Sequence, residues 1–150
     1  MRRKRDRWLE RIRGVELEFR AARRAADFLL AQAVSDPTIL GNEVKWEHVR
    51  RMSERLDGTY IVRLFAEFET GLREFWPTAR GTEPPGRTVD LVDGIAATRR
   101  IPDAIRLRTH EVRNYRNSLV HERDDPVDPV AVDVARGFLC RFFGHLPPDW

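Results

Sequence analysis

Residues 113–122 read R-N-Y-R-N-S-L-V-H-E, two Arg-Asn pairs followed by a histidine. Asparagine is a mediocre helix former, so its repetition in a helical stretch points to a use for the side chain. A guanidinium grips a phosphate through paired N–H donors, and an amide adds orientation and a further donor. Imidazole contributes what arginine cannot, a proton exchanged close to neutrality. A phosphodiester held by Arg116 next to His121 is therefore set up for acid–base chemistry if an attacking hydroxyl is at hand. In RNA that hydroxyl is built in, as the ribose 2′-OH.

At 100° per residue, Ile105, Val112, Tyr115 and Leu119 fall on one side of a helix, which should face the core. The opposite side gathers Arg106, His110, Arg113, Asn114, Asn117 and His121, with Arg116 toward one flank. No carboxylate stands among the central members of that face. It suits a phosphate. The competing interpretation is plain: arginine and asparagine on an exposed face are commonly just solvated, and a terminal histidine often suits a helix end.

The elements that must position this stretch read as helices throughout. Trp8, Ile12, Val15, Phe19, Ala22, Ala26, Leu29 and Leu30 recur at three- and four-residue steps until Ser35-Asp36-Pro37 stops the first helix. A short helix is expected over 44–56, with Val49, Met52 and Leu56 inward, and Asp57-Gly58-Thr59 as punctuation. A strongly amphipathic helix then runs to Trp76 through Ile61, Leu64, Phe65, Phe68, Leu72 and Phe75. Residues 77–87 read as a loop by their Pro and Gly content. Thr88 is the expected cap of a helix reaching about Arg100, and Ile101-Pro102-Asp103 separates it from the 103–121 helix. Asp124-Asp125-Pro126 ends that helix region. Asp128 as N-cap and Pro129 at the first position open the last helix, lined by Val130, Val134, Phe138, Phe142 and Leu146 and closed by Pro147-Pro148. The expected class is all-α, an antiparallel bundle of four or five helices in one domain spanning 1–150.

Composition narrows the function classes. At 150 residues, 41% hydrophobic and 34% charged, the chain suits a soluble domain with a modest core, and no apolar run is long enough for a membrane span. The basic start MRRKRDRWLE is not followed by a continuous apolar segment, and Cys140 as the single cysteine allows no intrachain disulfide, so a reducing cytoplasm is the expected location. Net charge is only +3, yet residues 1–24 hold ten Lys/Arg against four Asp/Glu, and residues 99–123 hold seven Arg against three. Two basic segments suggest a polyanion partner. Lys4 and Lys45 are the only lysines; arginine suits bidentate phosphate contacts, although a GC-rich genome gives the same bias.

Other chemistries find less support. Cys140 is the single cysteine, and neither HExxH nor a Glu-x-x-His pair occurs, so no metal or cofactor is expected. Ser118 lacks a G-x-S-x-G setting. His48 and His145 read as structural or solvated, and Trp46 and Trp150 as packing more than base-stacking.

The stretch Arg116-Asn117-Ser118-Leu119-Val120-His121 resembles the R-x(4–6)-H motif of HEPN domains in its R-N-x-x-x-H form. It also sits late in an all-α chain, before one closing helix, as in that family. The segment DGTYIVRLFAEFETGLREFW resembles the family's packed second helix, so the similarity extends from Asp57 onward. The resemblance implies a metal-independent endoribonuclease of a toxin–antitoxin or defence system, with a homodimer joining two motifs in one cleft. It would make Arg116 and His121 catalytic with Asn117 in support; the helical face adds Arg113, Asn114 and His110 as substrate-binding candidates. RNA and an antitoxin protein are the implied partners. Arg123 stands where antitoxin-modified relatives often carry tyrosine, which puts that mode of regulation in doubt. A non-catalytic helical module binding RNA or protein is the alternative.

Overall fold

Helices α1 (Lys4–Ser35) and α2 (Trp46–Arg80) pair as a long hairpin in the computed structural model, which describes residues 3–121 and 126–150. Trp8 Nε1 donates to Glu74 Oε2 at one end and Arg23 Nη1 to Ser53 Oγ toward the other, contacts that fix the antiparallel direction. A short 3-10 turn, Pro37–Leu40, opens the connection between them. Three shorter helices, α3 (Thr88–Arg99), α4 (Asp103–Val120) and α5 (Val132–Gly144), pack around the α2 half that follows Tyr60. Helix is the only regular structure among the described residues, as the 3.6-residue periodicity predicts.

The core is aromatic. Phe65, Phe68, Phe75, Phe142 and Phe143 are fully buried, and Phe68 meets Phe142 edge-on at 5.5 Å. Close helix approach depends on two glycines. A Cβ on Gly71 would lie 2.8 Å from the Phe143 ring, and one on Gly94 would lie 2.6 Å from Trp76. The cluster takes Trp8, Ile12 and Val15 from α1 and Ile61 through Trp76 from α2, with Phe19 and Tyr60 at its edge. Beyond that level the two long helices bury mainly Ala26, Ala33, Val49 and Leu56. Phe28 and Val34 there are 67% and 72% exposed.

The structure departs from the sequence expectations at several boundaries. Residues 57–59 do not interrupt α2. Asp57 accepts a bond from Arg23, Thr59 Oγ1 donates to the Arg55 carbonyl at 3.1 Å, and Gly58 leaves room for Leu119. Groups that usually break a helix are thus satisfied inside it. Val49 and Leu56 face inward, but Met52 is exposed. Pro77 lies within the last turn of α2, which ends at Gly81 in the left-handed region, its N–H bonding the Pro77 carbonyl at 2.7 Å. Thr88 is the first residue of α3, not its cap, and its hydroxyl donates to Glu69.

The last helix begins three residues after the expected Pro129 start, with Ala131 as N-cap, because Val130 packs on the core from extended chain. Val134 points outward; Val132, Ala135, Leu139 and Phe143 are buried instead alongside Phe142. The expected stop at Asp124-Asp125 and the Arg123 departure lie outside the described residues. No described helix is long and apolar enough to cross a membrane.

Candidate functional site

Helix α4 carries the motif, and its packing decides which side chains remain available. Val112 is fully buried, while Ile105 and Tyr115 pack at the core's edge. Leu119, expected inward, is 41% exposed because α4 ends over Gly58 of α2: a Cβ there would sit 3.1 Å from Leu119 Cδ2.

The polar face divides into two groups. At its N-terminal end His110 Nε2 lies 2.7 Å from Asp93 Oδ1 of α3, and Arg106 Nη1 donates to the same oxygen at 3.0 Å. Arg106 also reaches Asp103 at 3.2 Å. The carboxylate that engages His110 is therefore delivered by a neighbouring helix. Burial pushes the Asp93 carboxyl up, but the hydrogen bonds from His110 and Arg106 outweigh it and leave its pKa below the ordinary value. His110 stands eleven residues before His121, about 16 Å along the helix axis, so the fold does not bring the two imidazoles together within one chain.

The second group lies at the C-terminal end. Arg113 Nη2 donates to Asn114 Oδ1 at 2.9 Å, and Arg116 Nη1 to Asn117 Oδ1 at 3.0 Å. Each arginine of the two Arg-Asn pairs is thus oriented by the asparagine beside it. The Arg116 guanidinium carbon lies 6.0 Å from the Phe65 ring centroid, and its Nε is buried with no hydrogen-bond partner among the described residues. The stem is held against the core; no carboxylate among the described residues bonds its head. His121 is the C-cap of α4: its backbone is extended, its N–H donates to the Asn117 carbonyl at 3.0 Å, and it is exposed. Asn117 therefore contacts both motif ends, Arg116 through its side chain and His121 through its carbonyl.

Beside this group, α2 and α4 enclose an open cleft of about 560 Å³. Arg55, Asp57, Thr59 and Val62 line one wall, and Tyr115, Ser118 and Leu119 the other. Burial, reinforced by the Asp57 carboxylate, pushes the Tyr115 phenol up, so it stays protonated. Neither Asp93 nor this cleft is visible in the motif, because both depend on which helix packs against α4.

Elsewhere the chemistry is quieter. Burial raises the Cys140 thiol against the opposing effect of Arg13 and Arg136, which makes it a poor nucleophile. No group of three His, Cys, Asp or Glu among the described residues could hold a metal ion. Trp150 packs on Phe75 at 5.2 Å, and Trp46 begins α2 half-exposed. Family models, curated proteins and solved structures give no match to this chain.

Proposed function

We propose that the chain is a metal-independent endoribonuclease of HEPN type, acting through Arg116 and His121 at an interface between two copies. One observation carries the reading: Arg116 is held by Asn117 and the core with no carboxylate among the described residues on its head, while the exposed His121 follows just past the helix end. An oriented cation and an accessible imidazole, about 7.5 Å apart along the axis, suit a phosphate and the proton beside it.

In this mechanism the 2′ oxygen bonds to phosphorus as the P–O5′ bond breaks. A proton leaves O2′ for one imidazole, and another reaches O5′ from a second. The guanidinium stabilises charge on the non-bridging oxygens. One chain offers a single motif histidine, so pairing with a second copy completes the acid and the base. Arg113 and Asn114 extend the phosphate-binding face, whereas His110 contributes less to it, since Asp93 already engages its ring. A toxin–antitoxin or defence setting, with an antitoxin as partner and the cytoplasm as location, rests on the resemblance alone.

The test is cleavage of mixed RNA by purified protein, compared with the Arg116→Ala/His121→Ala variant. Cleavage lost in the variant supports the nuclease. Binding without cleavage in both favours the non-catalytic module.

A further inference from the structure

We propose that the α2–α4 cleft is a nucleotide subsite, in which Arg55 holds the phosphate next to the scissile one and the cleft selects the flanking base. The proposal rests on the nuclease reading for its ligand, and on the cleft's own chemistry for its specificity.

Position comes first. Ser118 and Leu119 belong both to the motif and to the cleft wall, so a strand gripped at Arg116 and His121 has its neighbouring nucleotide beside this opening. A volume of about 560 Å³ is within the range of small-ligand sites.

Charge comes next. The two carboxylates at the rim are engaged, Asp57 by Arg23 and Glu54 by Arg50. Arg55 is exposed and makes no ion pair among the described residues; neither does Arg51, one turn earlier on α2. Arg55 on the cleft wall therefore offers a guanidinium that pairs with no carboxylate among the described residues, the group best matched to a phosphate. Glu47, a further turn away, ends the basic run.

The walls then decide the base. Val62, Leu119 and the Tyr115 ring offer an apolar surface against which a base can lie. Thr59 Oγ1 donates to the Arg55 carbonyl at 3.1 Å and Ser118 Oγ to the Tyr115 carbonyl at 2.6 Å. With their protons engaged, both hydroxyls present lone pairs only, and the Asp57 and Glu54 oxygens add further acceptors. These acceptors favour a base bearing an exocyclic amino group over uracil, which has none.

The experiment measures binding of labelled ten-nucleotide single-stranded oligo(C), oligo(A) and oligo(U) by fluorescence anisotropy, in the His121→Ala background to prevent cutting. Arg55→Ala and Thr59→Trp are compared in that background, with helical content and melting temperature as folding controls. Both altered side chains are exposed. Oligo(C) and oligo(A) should bind more tightly than oligo(U). Arg55→Ala should weaken all three by about 3- to 10-fold and flatten the log–log salt slope by about 0.7. Thr59→Trp should fill the cleft and abolish the base preference. Equal binding of all three oligomers, or unchanged affinity in both variants, would overturn the subsite. A chain that cleaves RNA yet binds normally without Arg55 loses the subsite alone; one that binds through Arg55 but cuts nothing with His121 restored loses the nuclease reading alone.

Discussion

His110 and Asp93 join α4 to α3 through one oxygen: His110 Nε2 lies 2.7 Å from Asp93 Oδ1, the atom that Arg106 also reaches at 3.0 Å. This contact fixes the N-terminal half of α4 and leaves its C-terminal half to the motif.

Asp93 makes the fold's stability depend on pH. Its folded pKa lies below the ordinary 3.8, so its contribution is present above that value and lost as pH falls through the folded pKa. Asp93→Asn should lower the melting temperature at pH 7, and the gap from wild type should close below about pH 4. Thermal melts from pH 7 to 3 would check this; a gap that widens in acid contradicts it.

Two helix glycines should behave oppositely. Gly71→Ala puts a methyl 2.8 Å from the buried Phe143 ring and should cost about 1–3 kcal/mol in urea unfolding. Gly58→Ala meets only the tip of half-exposed Leu119, at 3.1 Å. Removing a helix-interior glycine gains up to about 1 kcal/mol, so that variant should be neutral or more stable.

Glu16 is buried on α1 and accepts from Arg136 of α5 at 2.6 Å and from Arg20 of its own helix at 2.7 Å. Arg136→Ala removes the interhelix partner of a buried carboxylate and should cost about 1–3 kcal/mol. Arg20 is mostly exposed, so Arg20→Ala should cost under about 0.5 kcal/mol. Equal losses for the two would show that burial does not set the difference.

Under the proposed mechanism, RNA cleavage should leave a 2′,3′-cyclic phosphate and a 5′-hydroxyl. Loss of the Arg116 guanidinium should slow it about 10²-fold or more, and loss of the His121 imidazole about 10²- to 10⁴-fold. EDTA should leave the rate nearly unchanged. A substrate with one 2′-deoxy sugar at the cut position should bind yet resist; if it is cut at the normal rate, the mechanism is wrong.

The proposed pairing of two motifs has its own check. Val120 is exposed at the end of α4, directly before His121, and Val120→Asp should shift a dimer toward monomer by about 10-fold or more in Kd, since a buried charge costs more than one tenfold step. Sedimentation equilibrium at micromolar concentration reads the change. A wild-type monomer there would remove the shared-cleft arrangement.

Sequence pattern revealed the helical class and most of the core, because Ile61, Leu64, Phe65, Phe68 and Leu72 leave little choice of face. It misjudged where helices end. Asp57, Gly58 and Thr59 look like punctuation locally, but Asp57 finds Arg23 and Gly58 faces Leu119, both distant in sequence, while Thr59 bonds back to Arg55 within the helix. Pro77 likewise reads as a stop, but packing of Trp76 and Ala79 and the Gly81 cap carry α2 past it. The same limit applies to the site. Spacing put Arg116 and Asn117 on one helix, and the bond between them follows from adjacency, but His121, expected inside that helix, is its extended C-cap. The engagement of His110 depends on Asp93, seventeen residues earlier on another helix, and no periodicity encodes that contact.

The far half of the α1–α2 hairpin has a consequence for motion. Its residues from about 24 to 52 are held mainly by each other, with Arg23 bridging Ser53 and Asp57 as the last clamp before the shared core. Such an arm can unravel while the aromatic centre stays intact, a sub-global opening of low free energy. Amide hydrogens there should exchange with deuterium well before those of residues 61–76, and limited proteolysis should cut first near the 3-10 turn. The protein then melts from its arm inward, leaving the helices around the motif to the final cooperative step.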